Sequence, residues 1–377
     1  MTSWNRRLRV LTLSNCPLRD DLGSGYVTLR YVAGLREYGH DVDVLQPSDF
    51  QLLGRWRRGI RYRQALGMAL AVALRRRQRY DLIEFYGAEA WLAVWLLRRT
   101  FRRRCLLVAH SNGLETHALE AMADRLPGAE CTATRRALAY RLAESAFKSI
   151  DALVTVSHSD LEFAARNGYA TPASRLAIEN PLPDEYLGLD IGTTRAPVFG
   201  FCGSWIDRKG TETIRAEVPP VLRRFRDWRF QVIGVGSDWD PRAHFPDDVL
   251  DQIQVVSYAD RGIQLRELYC RMAIVIVPSL YEGFGLVTAE AMACGCAVVV
   301  TPTGLGASVE PDVEALVIGR GACASLAAGL ERLITDNGLR HRVARAGHRR
   351  VQSLRWEEAI DRLDRAYRGW TAGHARS

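Results

Sequence analysis

The order of apolar and polar positions along the chain predicts an alternation of short buried strands and helices. Residues 272–277, Met-Ala-Ile-Val-Ile-Val, form a continuous apolar run, which is typical of a strand covered on both faces in a parallel sheet. Similar short runs are separated by helical segments. We predict further strands at residues 8–13, 41–45, 81–85, 105–109, 152–156, 198–202, 230–233, 253–258 and 297–301. This alternation predicts an α/β fold with parallel sheets.

The run at 272–277 leads into a glycine turn and then into a short apolar helix. Gly283 and Gly285 leave backbone N–H groups unobstructed between the strand and the helix. A strand, a glycine turn and a helix N-terminus together form an anion site, for which phosphate is the usual ligand. Glu282 and Glu290 flank this turn. They are interpreted either as solvated carboxylates or as groups on each side of a bound phosphate.

The segment that contains this turn resembles a known family. Residues 278–295 have the sequence Pro-Ser-Leu-Tyr-Glu-Gly-Phe-Gly-Leu-Val-Thr-Ala-Glu-Ala-Met-Ala-Cys-Gly. This sequence is similar to the donor-site signature of retaining sugar-nucleotide glycosyltransferases of the GT-B fold, family four. The resemblance covers nearly the whole chain, strongly at 278–301 and loosely before residue 151.

The resemblance implies a domain organisation. We expect two Rossmann-like, doubly wound domains that face a cleft, with a C-terminal helix that crosses back to the first domain. The expected bounds are residues 1–187 for the acceptor-binding domain, 188–352 for the nucleotide-sugar-binding domain and 353–377 for the returning helix.

The resemblance also implies roles around the anion site. The family pattern Gly-Arg-Leu-x-x-x-Lys-Gly matches at Lys209 and the glycine after it, whereas Ser204 stands where the family has an arginine. We expect Lys209 to neutralise a leaving diphosphate, with Arg208 in place of the missing cation. The predicted catalytic residues are therefore Glu282, Lys209 and Arg208. The resemblance places Glu282 on sugar hydroxyls and Glu290 on the ribose.

Further contacts follow from the same resemblance. Other predicted donor-binding residues are Gly25, Gly203, Ser204, Gly236, Tyr258, Gly283, Phe284, Gly285 and Leu286. Gly25 belongs to a predicted glycine loop at residues 23–25, which is followed by a predicted helix at about residues 26–38. His110, in a predicted loop after the strand at 105–109, is the candidate cleft histidine. Asn112 and His117 compete with it for that position, and a solvated loop histidine is the alternative interpretation.

Charge is distributed unevenly along the 377 residues. The formal net charge is +8, but residues 54–104 contain fourteen arginines against three carboxylates and carry +11. With Trp56, this segment predicts a helical face that contacts an anionic membrane or binds a phosphate. A solvated face in an arginine-rich protein is the alternative. No recognition module accompanies the charge, so nucleic acid binding is not expected.

The remaining composition narrows the expectations. The chain's only lysines are Lys148 and Lys209, which singles out Lys209. Eight scattered cysteines show no zinc spacing, which favours reduced thiols in the cytosol. No stretch resembles a signal peptide or a membrane span, so we expect a cytoplasmic protein, at the inner face of the cytoplasmic membrane if the basic segment binds there. Residues 41–43, Asp-Val-Asp, mimic a metal motif but lie in a predicted strand, and no metal site is expected.

The predicted function is transfer of a sugar from a nucleotide-sugar, with retention of anomeric configuration, in polysaccharide biosynthesis. The donor is expected to be a UDP- or GDP-sugar, and the acceptor a glycan, a lipid-linked carbohydrate or a small molecule. Neither a cofactor nor a metal is expected, because cationic side chains and a helix dipole can bind the diphosphate. The alternatives are a sugar-nucleotide epimerase of the same fold and a non-catalytic sugar-nucleotide binder.

Overall fold

The structure is a computed structural model that describes residues 6–19, 23–50, 60–75, 77–100, 105–122, 130–192, 194–260, 262–321 and 325–374. These residues form two compact units. Unit 1 comprises Met1–Asn180 and Trp356–Ser377, and unit 2 comprises Pro181–Arg355. The domain bounds expected at 187 and 352 stay a prediction.

Unit 1 is built on a parallel sheet of six strands. In chain order these are β1 (Arg9–Ser14), β2 (Asp41–Leu45), β3 (Leu82–Tyr86), β4 (Leu106–Ser111), β5 (Ala152–Thr155) and β6 (Arg175–Ala177). Their order across the sheet is β2-β1-β3-β4-β5-β6. Val10 in β1 lies between Val42 and Leu82, so apolar residues face each other across the central strands. The β3 strand is buried along its whole length, as expected when helices cover both faces.

Helices connect these strands. They are α1 (Gly23–Glu37), α2 (Pro47–Phe50), α3 (Ile60–Leu74), α4 (Trp91–Thr100), α5 (Glu115–Ala121), α6 (Glu130–Lys148) and α7 (His158–Arg166). The α1 helix begins earlier than the sequence indicated. Gly23 and Gly25 were expected in a loop but lie in its first turn. The reason is packing, since a Cβ on Gly25 would lie 2.6 Å from the carbonyl oxygen of Pro17.

Unit 2 has a second parallel six-stranded sheet. Its strands are β7 (Ala196–Cys202), β8 (Arg229–Ile233), β9 (Ile253–Val256), β10 (Met272–Val277), β11 (Ala297–Val300) and β12 (Leu316–Val317). Its helices are α8 (Thr211–Arg224), α9 (Ile263–Arg271), α10 (Leu286–Ala293), α11 (Ser325–Thr335) and α12 (Asn337–Val351). The β10 strand is completely buried, as the continuous apolar run predicts.

The strand order of unit 2 locates its ligand edge. The order is β12-β11-β10-β7-β8-β9, so the chain builds outward from β7 in one direction and then returns to build outward from β10 in the other. In a doubly wound sheet, ligands bind beyond the carboxyl ends of the two strands where the direction reverses. Those ends lead into the segments 203–210 and 278–285.

The last helix, α13 (Trp356–His374), belongs to unit 1. It packs on α1 where Gly34 leaves room for Ile360, since a Cβ on Gly34 would lie 2.2 Å from Ile360 Cδ1. Farther along, Tyr367 Oη donates a hydrogen bond to Glu84 Oε1 at 2.5 Å. The predicted return of the C-terminal helix to the first domain is confirmed. Among the described helices, none combines the length and apolarity needed to cross a bilayer.

Candidate functional site

Two segments that are distant in sequence meet at the reversal point of the unit 2 sheet. Lys209, after β7, donates from Nζ to Glu282 Oε1, after β10, at 2.7 Å. Ser279 Oγ donates to the same oxygen at 2.7 Å. Glu282 is 7% exposed, so the carboxylate of this pair is buried at the ligand edge of the sheet.

A second cation lies beside this pair. Arg208 Nη1 is 3.9 Å from Glu282 Oε2 and donates to the carbonyl oxygen of Tyr281 at 3.1 Å. The carbonyl oxygen of Arg208 in turn accepts the N–H of Leu280 at 2.8 Å. These bonds fasten the short turn Asp207–Lys209 to the loop after β10. The two cations are therefore positioned by backbone contacts as well as by charge.

The protonation state of Glu282 follows from its neighbours. Burial opposes ionisation and would raise the pKa of this carboxyl. The charges of Lys209 and Arg208 and the hydrogen bonds from Lys209 and Ser279 outweigh burial, and the pKa lies below its ordinary value. Glu282 is thus an anion at neutral pH, and the site holds two cations against it.

Glycines shape the turn that follows Glu282. Gly285 has φ +90 and precedes α10, a conformation that favours glycine. Gly304, in the loop after β11, has φ +55, and a Cβ there would lie 2.3 Å from the carbonyl oxygen of Phe284. That oxygen accepts the N–H of Leu305 at 2.6 Å. The loop after β11 therefore packs against the turn at 283–285 and restricts its conformation.

The other predicted donor-binding residues of unit 2 lie at the same edge of the sheet. Gly203 is close to Lys209, since a Cβ on Gly203 would lie 3.7 Å from Lys209 Cε. Gly236 follows β8, and Tyr258 follows β9. The N–H of Gly236 donates to the carbonyl oxygen of the residue before Tyr258. Ser204 is exposed, and Tyr258 is 68% exposed. These positions are neighbours along the edge, and their contacts with a donor stay a prediction.

Glu290 lies inside α10 and is 2% exposed. Burial and then nearby charges, Glu290 among them, raise the pKa of the Tyr269 hydroxyl in α9 well above its ordinary value. The Glu290 carboxylate therefore lies near the contact between α9 and α10. Its predicted role at the ribose is untested.

His110 differs from its sequence-based placement. It was expected in a loop but is part of β4, and its side chain is completely buried. Its Nδ1 lies 2.7 Å from Glu84 Oε1 and 2.9 Å from Tyr86 Oη. Within the described residues its Nε2 has no hydrogen-bond partner. Gly25 and His110 both belong to unit 1, and their donor-site roles stay predictions.

Glu84 is the residue that the sequence analysis missed. It is 1% exposed and accepts from Thr12 Oγ1 at 2.9 Å as well as from Tyr367. Burial would raise its pKa, but the hydrogen bond and charge of His110 and the bonds from Tyr367 and Thr12 hold the pKa below its ordinary value. The available signal was an acidic residue at the centre of an apolar strand, which burial makes costly unless partners are present.

His117, the alternative to His110, and the Asp-Val-Asp motif at residues 41–43 are both paired with nearby charged residues. His117 Nδ1 lies 2.7 Å from Asp160 Oδ1, and its ring stacks on Phe163. Asp41 and Asp43 both lie within 4 Å of the Arg9 guanidinium, at 3.6 and 3.9 Å. In the described part of the chain, no cluster of three His, Cys, Asp or Glu residues could hold a metal ion.

Two family models match the chain. The model of the glycosyl transferase 4-like domain matches residues 23–181, and the model of glycosyl transferases group 1 matches residues 196–336. Together they span most of both units.

Curated relatives are similar over shorter stretches. The D-inositol 3-phosphate glycosyltransferase of Salinispora tropica is 34% identical over 114 residues, which is 30% of this chain and 24% of the relative. The enzyme of the same name from Corynebacterium urealyticum is 25% identical over 333 residues, 80% of this chain and 74% of the relative. For the first three relatives, the match spans 24% to 43% of their own length.

Solved structures share the fold. Sucrose-phosphate synthase from Thermosynechococcus elongatus superposes with a TM-score of 0.77 at 18% identity, over 97% of this chain and 100% of that one. Anabaena HepE in complex with UDP gives a TM-score of 0.66 at 16% identity, over 95% and 99%. With the two family matches, these likenesses establish that the chain belongs to the group 1 glycosyltransferases and has the GT-B fold.

Proposed function

We propose that this chain is a retaining, metal-independent glycosyltransferase that uses a nucleotide-sugar donor. The observation that supports this most is the Lys209–Glu282 pair, whose carboxylate is buried and has Arg208 beside it, at the reversal point of the unit 2 sheet. Glycosyl transfer needs the leaving diphosphate to be neutralised and the sugar to be held in place. The pair offers one group for each task.

Lys209 and Arg208 bind the diphosphate. The Lys209 ammonium has three N–H donors, of which Glu282 engages one. The N-terminus of α10 follows directly after the glycine turn, and its dipole also favours an anion. Two fixed cations and a helix N-terminus can stabilise the charge that develops on the leaving group without a divalent metal.

Glu282 orients the sugar. Its Oε1 accepts two hydrogen bonds, whereas its Oε2 lies 3.9 Å from Arg208 Nη1. An ionised carboxylate is an acceptor only, so Oε2 is available to sugar hydroxyl groups. Because Lys209 holds Glu282 directly, the diphosphate and the sugar are positioned by one connected group.

The stereochemical course is part of the proposal. The acceptor hydroxyl attacks the anomeric carbon on the face that the diphosphate leaves, and a phosphate oxygen takes the hydroxyl proton. NMR of the first product formed should show the anomeric configuration of the donor, and an inverted product would contradict this course. Activity should be unchanged by a chelator, and a chelator-sensitive reaction would contradict metal independence.

Donor and acceptor are proposed by class. UDP-sugars are the first donors to test, because the neighbouring Anabaena HepE structures hold UDP and UDP-glucose, and GDP-sugars are the second. Acceptors are a glycan, a lipid-linked carbohydrate or a small molecule in polysaccharide biosynthesis. The relatives named D-inositol 3-phosphate glycosyltransferase add inositol phosphate to the acceptors tested.

A thermal-shift panel of UDP-, GDP- and ADP-sugars tests donor binding. A bound donor stabilises the folded chain by about 2.7 kcal/mol at a hundred times its dissociation constant. We expect one nucleotide class to raise Tm and Glu282→Gln to abolish that rise. No rise with any donor would contradict the proposal. Product formed from labelled donor without acceptor would instead indicate the epimerase.

The proposal includes a peripheral position at the inner face of the cytoplasmic membrane. Four apolar residues spaced by one helical turn are exposed along α3: Tyr62, Leu66, Leu70 and Leu74. Leu74 is 82% exposed, and a cavity of about 870 Å³ next to the end of α3 is lined by Arg75, Arg77 and Arg79. Apolar side chains beside arginines are typical of a face that binds anionic lipid.

Part of the segment that the sequence singled out, including Trp56 and its neighbouring arginines, lies outside the described residues. Sedimentation with vesicles tests the contact. We expect binding to vesicles with phosphatidylglycerol and not to pure phosphatidylcholine, and a loss of that binding in Leu70→Ser/Leu74→Ser. Equal sedimentation with both vesicle types would contradict the membrane contact.

A further inference from the structure

Three cysteines lie close together where α9 and α10 end, at the opposite end of α10 from Gly285. Cys270 is the penultimate residue of α9 and is exposed. Cys294 directly follows α10, Cys296 precedes β11, and both are buried. The helices α9 and α10 pack against each other, so the exposed thiol and the two buried thiols lie at the same helix–helix interface.

The Cys294 thiol lies beside Cys270. Cys294 Sγ is 3.8 Å from the carbonyl oxygen of Arg266 in α9. In an α-helix that carbonyl oxygen accepts the N–H of the residue four positions later, which here is Cys270. The thiol of Cys294 therefore lies against the turn of α9 that carries Cys270, and the two thiols affect each other's ionisation.

Arg195 holds the two cysteines together. Its Nη1 donates to the carbonyl oxygen of Cys270 at 2.9 Å, and its Nη2 donates to that of Cys294 at 2.6 Å. Both nitrogens belong to one planar guanidinium, so the two carbonyl groups lie side by side. The same guanidinium places a fixed positive charge at the cysteine pair.

We propose that Cys270 and Cys294 form an oxidative modification site at which a hydroperoxide converts the two thiols into a disulfide. The Cys270 thiolate attacks a peroxide oxygen, so that an S–O bond forms, the O–O bond breaks and hydroxide or alkoxide leaves. The Cys294 thiol then attacks the sulfenic sulfur. An S–S bond forms, the S–O bond breaks, and water leaves with the Cys294 proton. The dithiol loses two electrons, and the peroxide gains them.

The electrostatics agree with this division of roles. The hydrogen bond from Cys294 lowers the pKa of the Cys270 thiol despite partial burial, and the charges of Arg195 and Arg266 lower it further. The pKa of Cys294 is raised by that same hydrogen bond and by burial. Cys270 is also the exposed thiol of the pair, so it is the nucleophile, and the buried Cys294 keeps its proton until it resolves the sulfenic acid. By contrast, burial raises the pKa of Cys105 to about 11.

The disulfide would form at one end of the helix that carries Glu290. The Cys294 N–H bonds to the Glu290 carbonyl oxygen at 3.1 Å. Joining α9 to the end of α10 should change how Glu290 meets a donor, and this consequence rests on the proposed function. Formation of the disulfide itself does not depend on it.

The test treats the folded full-length chain with a few equivalents of hydrogen peroxide, alkylates it in denaturant and maps its peptides. We expect a peptide pair joined through Cys270 and Cys294 that dithiothreitol removes. In Cys294→Ala, Cys270 should accumulate as sulfenic acid, trapped by dimedone. The matched control Cys105→Ser should form the disulfide as the unaltered chain does.

A second measurement does not depend on any variant. Alkylation of Cys270 by iodoacetamide in the native chain should be more than tenfold faster at pH 7 than alkylation of Cys105. Equal rates, or a peroxide product in which Cys270 is joined to other cysteines as often as to Cys294, would overturn the proposal. Donor affinity of the oxidised chain is read separately, so that failure of the donor assignment leaves the disulfide result unaffected.

Discussion

Among the described residues, each unit holds one buried glutamate whose pKa is lowered, and the two differ in the hydrogen bonds that their oxygens accept. Glu84 in β3 accepts from Thr12, His110 and Tyr367, so the fold itself occupies both of its oxygens. Glu282 accepts from Lys209 and Ser279 on one oxygen, and its other oxygen faces Arg208 at 3.9 Å.

This difference separates a structural carboxylate from a binding carboxylate. Burial and a lowered pKa are common to both, so neither property identifies a functional site. Glu282 differs in three respects: one of its oxygens can accept further hydrogen bonds, two cations lie beside its single negative charge, and it lies at the reversal point of a doubly wound sheet. Removal of Glu84 should therefore affect folding, and removal of the Glu282 partners should affect chemistry.

The largest expected effect is on stability and tests the structural half of the comparison. Glu84→Ala leaves the hydroxyls of Thr12 and Tyr367 and the ring of His110 without their partner. Breaking a buried pair of this kind costs about 3–5 kcal/mol. Urea unfolding followed by circular dichroism should show that loss. Glu282→Gln is the control and should lose much less, and equal losses would remove the distinction.

The next effect is on catalysis. Lys209→Ala should lower kcat by roughly 10²–10³-fold, because a preorganised group that stabilises the leaving charge is worth about that much. The control is the chain's other lysine, since Lys148 pairs with Glu144 at 2.7 Å on the surface. Lys148→Ala should leave kcat unchanged and stability within about 0.5 kcal/mol. A normal turnover rate in Lys209→Ala would show that the pair is structural, like Glu84.

A smaller effect is expected from the support of the glycine turn. In Gly304→Ala, the new Cβ would meet the carbonyl oxygen of Phe284 and lie 3.1 Å from Glu282 Cβ. We expect a loss of about 1–3 kcal/mol in the free energy of unfolding, together with weaker donor binding. Gly188→Ala is the matched control, since Gly188 also has positive φ but nothing lies within 4 Å of its Cβ position. Equal losses of donor affinity would show that positive φ, not contact with the turn, is responsible.

The smallest effect is the dependence of stability on pH. The folded-state pKa of Glu282 lies below the unfolded value near 4.5, so its ionisation stabilises the chain above that pH. This contribution is lost as the pH falls from about 4.5 through the folded-state pKa. The free energies of unfolding of the unaltered chain and Glu282→Gln should therefore converge on acidification. A gap that stays constant down to the acid limit would contradict the ion pair.

The sequence predicted one of these carboxylates and missed the other for a physical reason. Glu282 lies in a local pattern, because a glycine turn after an apolar strand is a contiguous signal. Its partner Lys209 was found through a second motif and through the scarcity of lysine. The partners of Glu84, which are His110, Thr12 and Tyr367, lie 26, 72 and 283 residues away. Contacts of that range leave no periodicity in the chain.

His110 and Gly25 show the same limit in smaller form. The β4 strand continues through Ser111, so a polar His-Ser pair that ends an apolar run was taken for a loop. Gly25 was predicted in a glycine loop between the first strand and the first helix, whereas in the structure it lies in the helix and leaves room for the backbone of Pro17. The existence of the strands and helices followed from local pattern, but the strand order and the side-chain partners did not.

The C-terminal helix α13 has a consequence for synthesis. The sheet of unit 1 precedes unit 2 in the chain, yet Tyr367, which completes the Glu84 network, follows unit 2. The hydrogen-bond network around Glu84 in unit 1 is therefore incomplete until unit 2 has been translated. A premature stop codon shortly before Trp356 would leave unit 2 complete and remove α13 from unit 1.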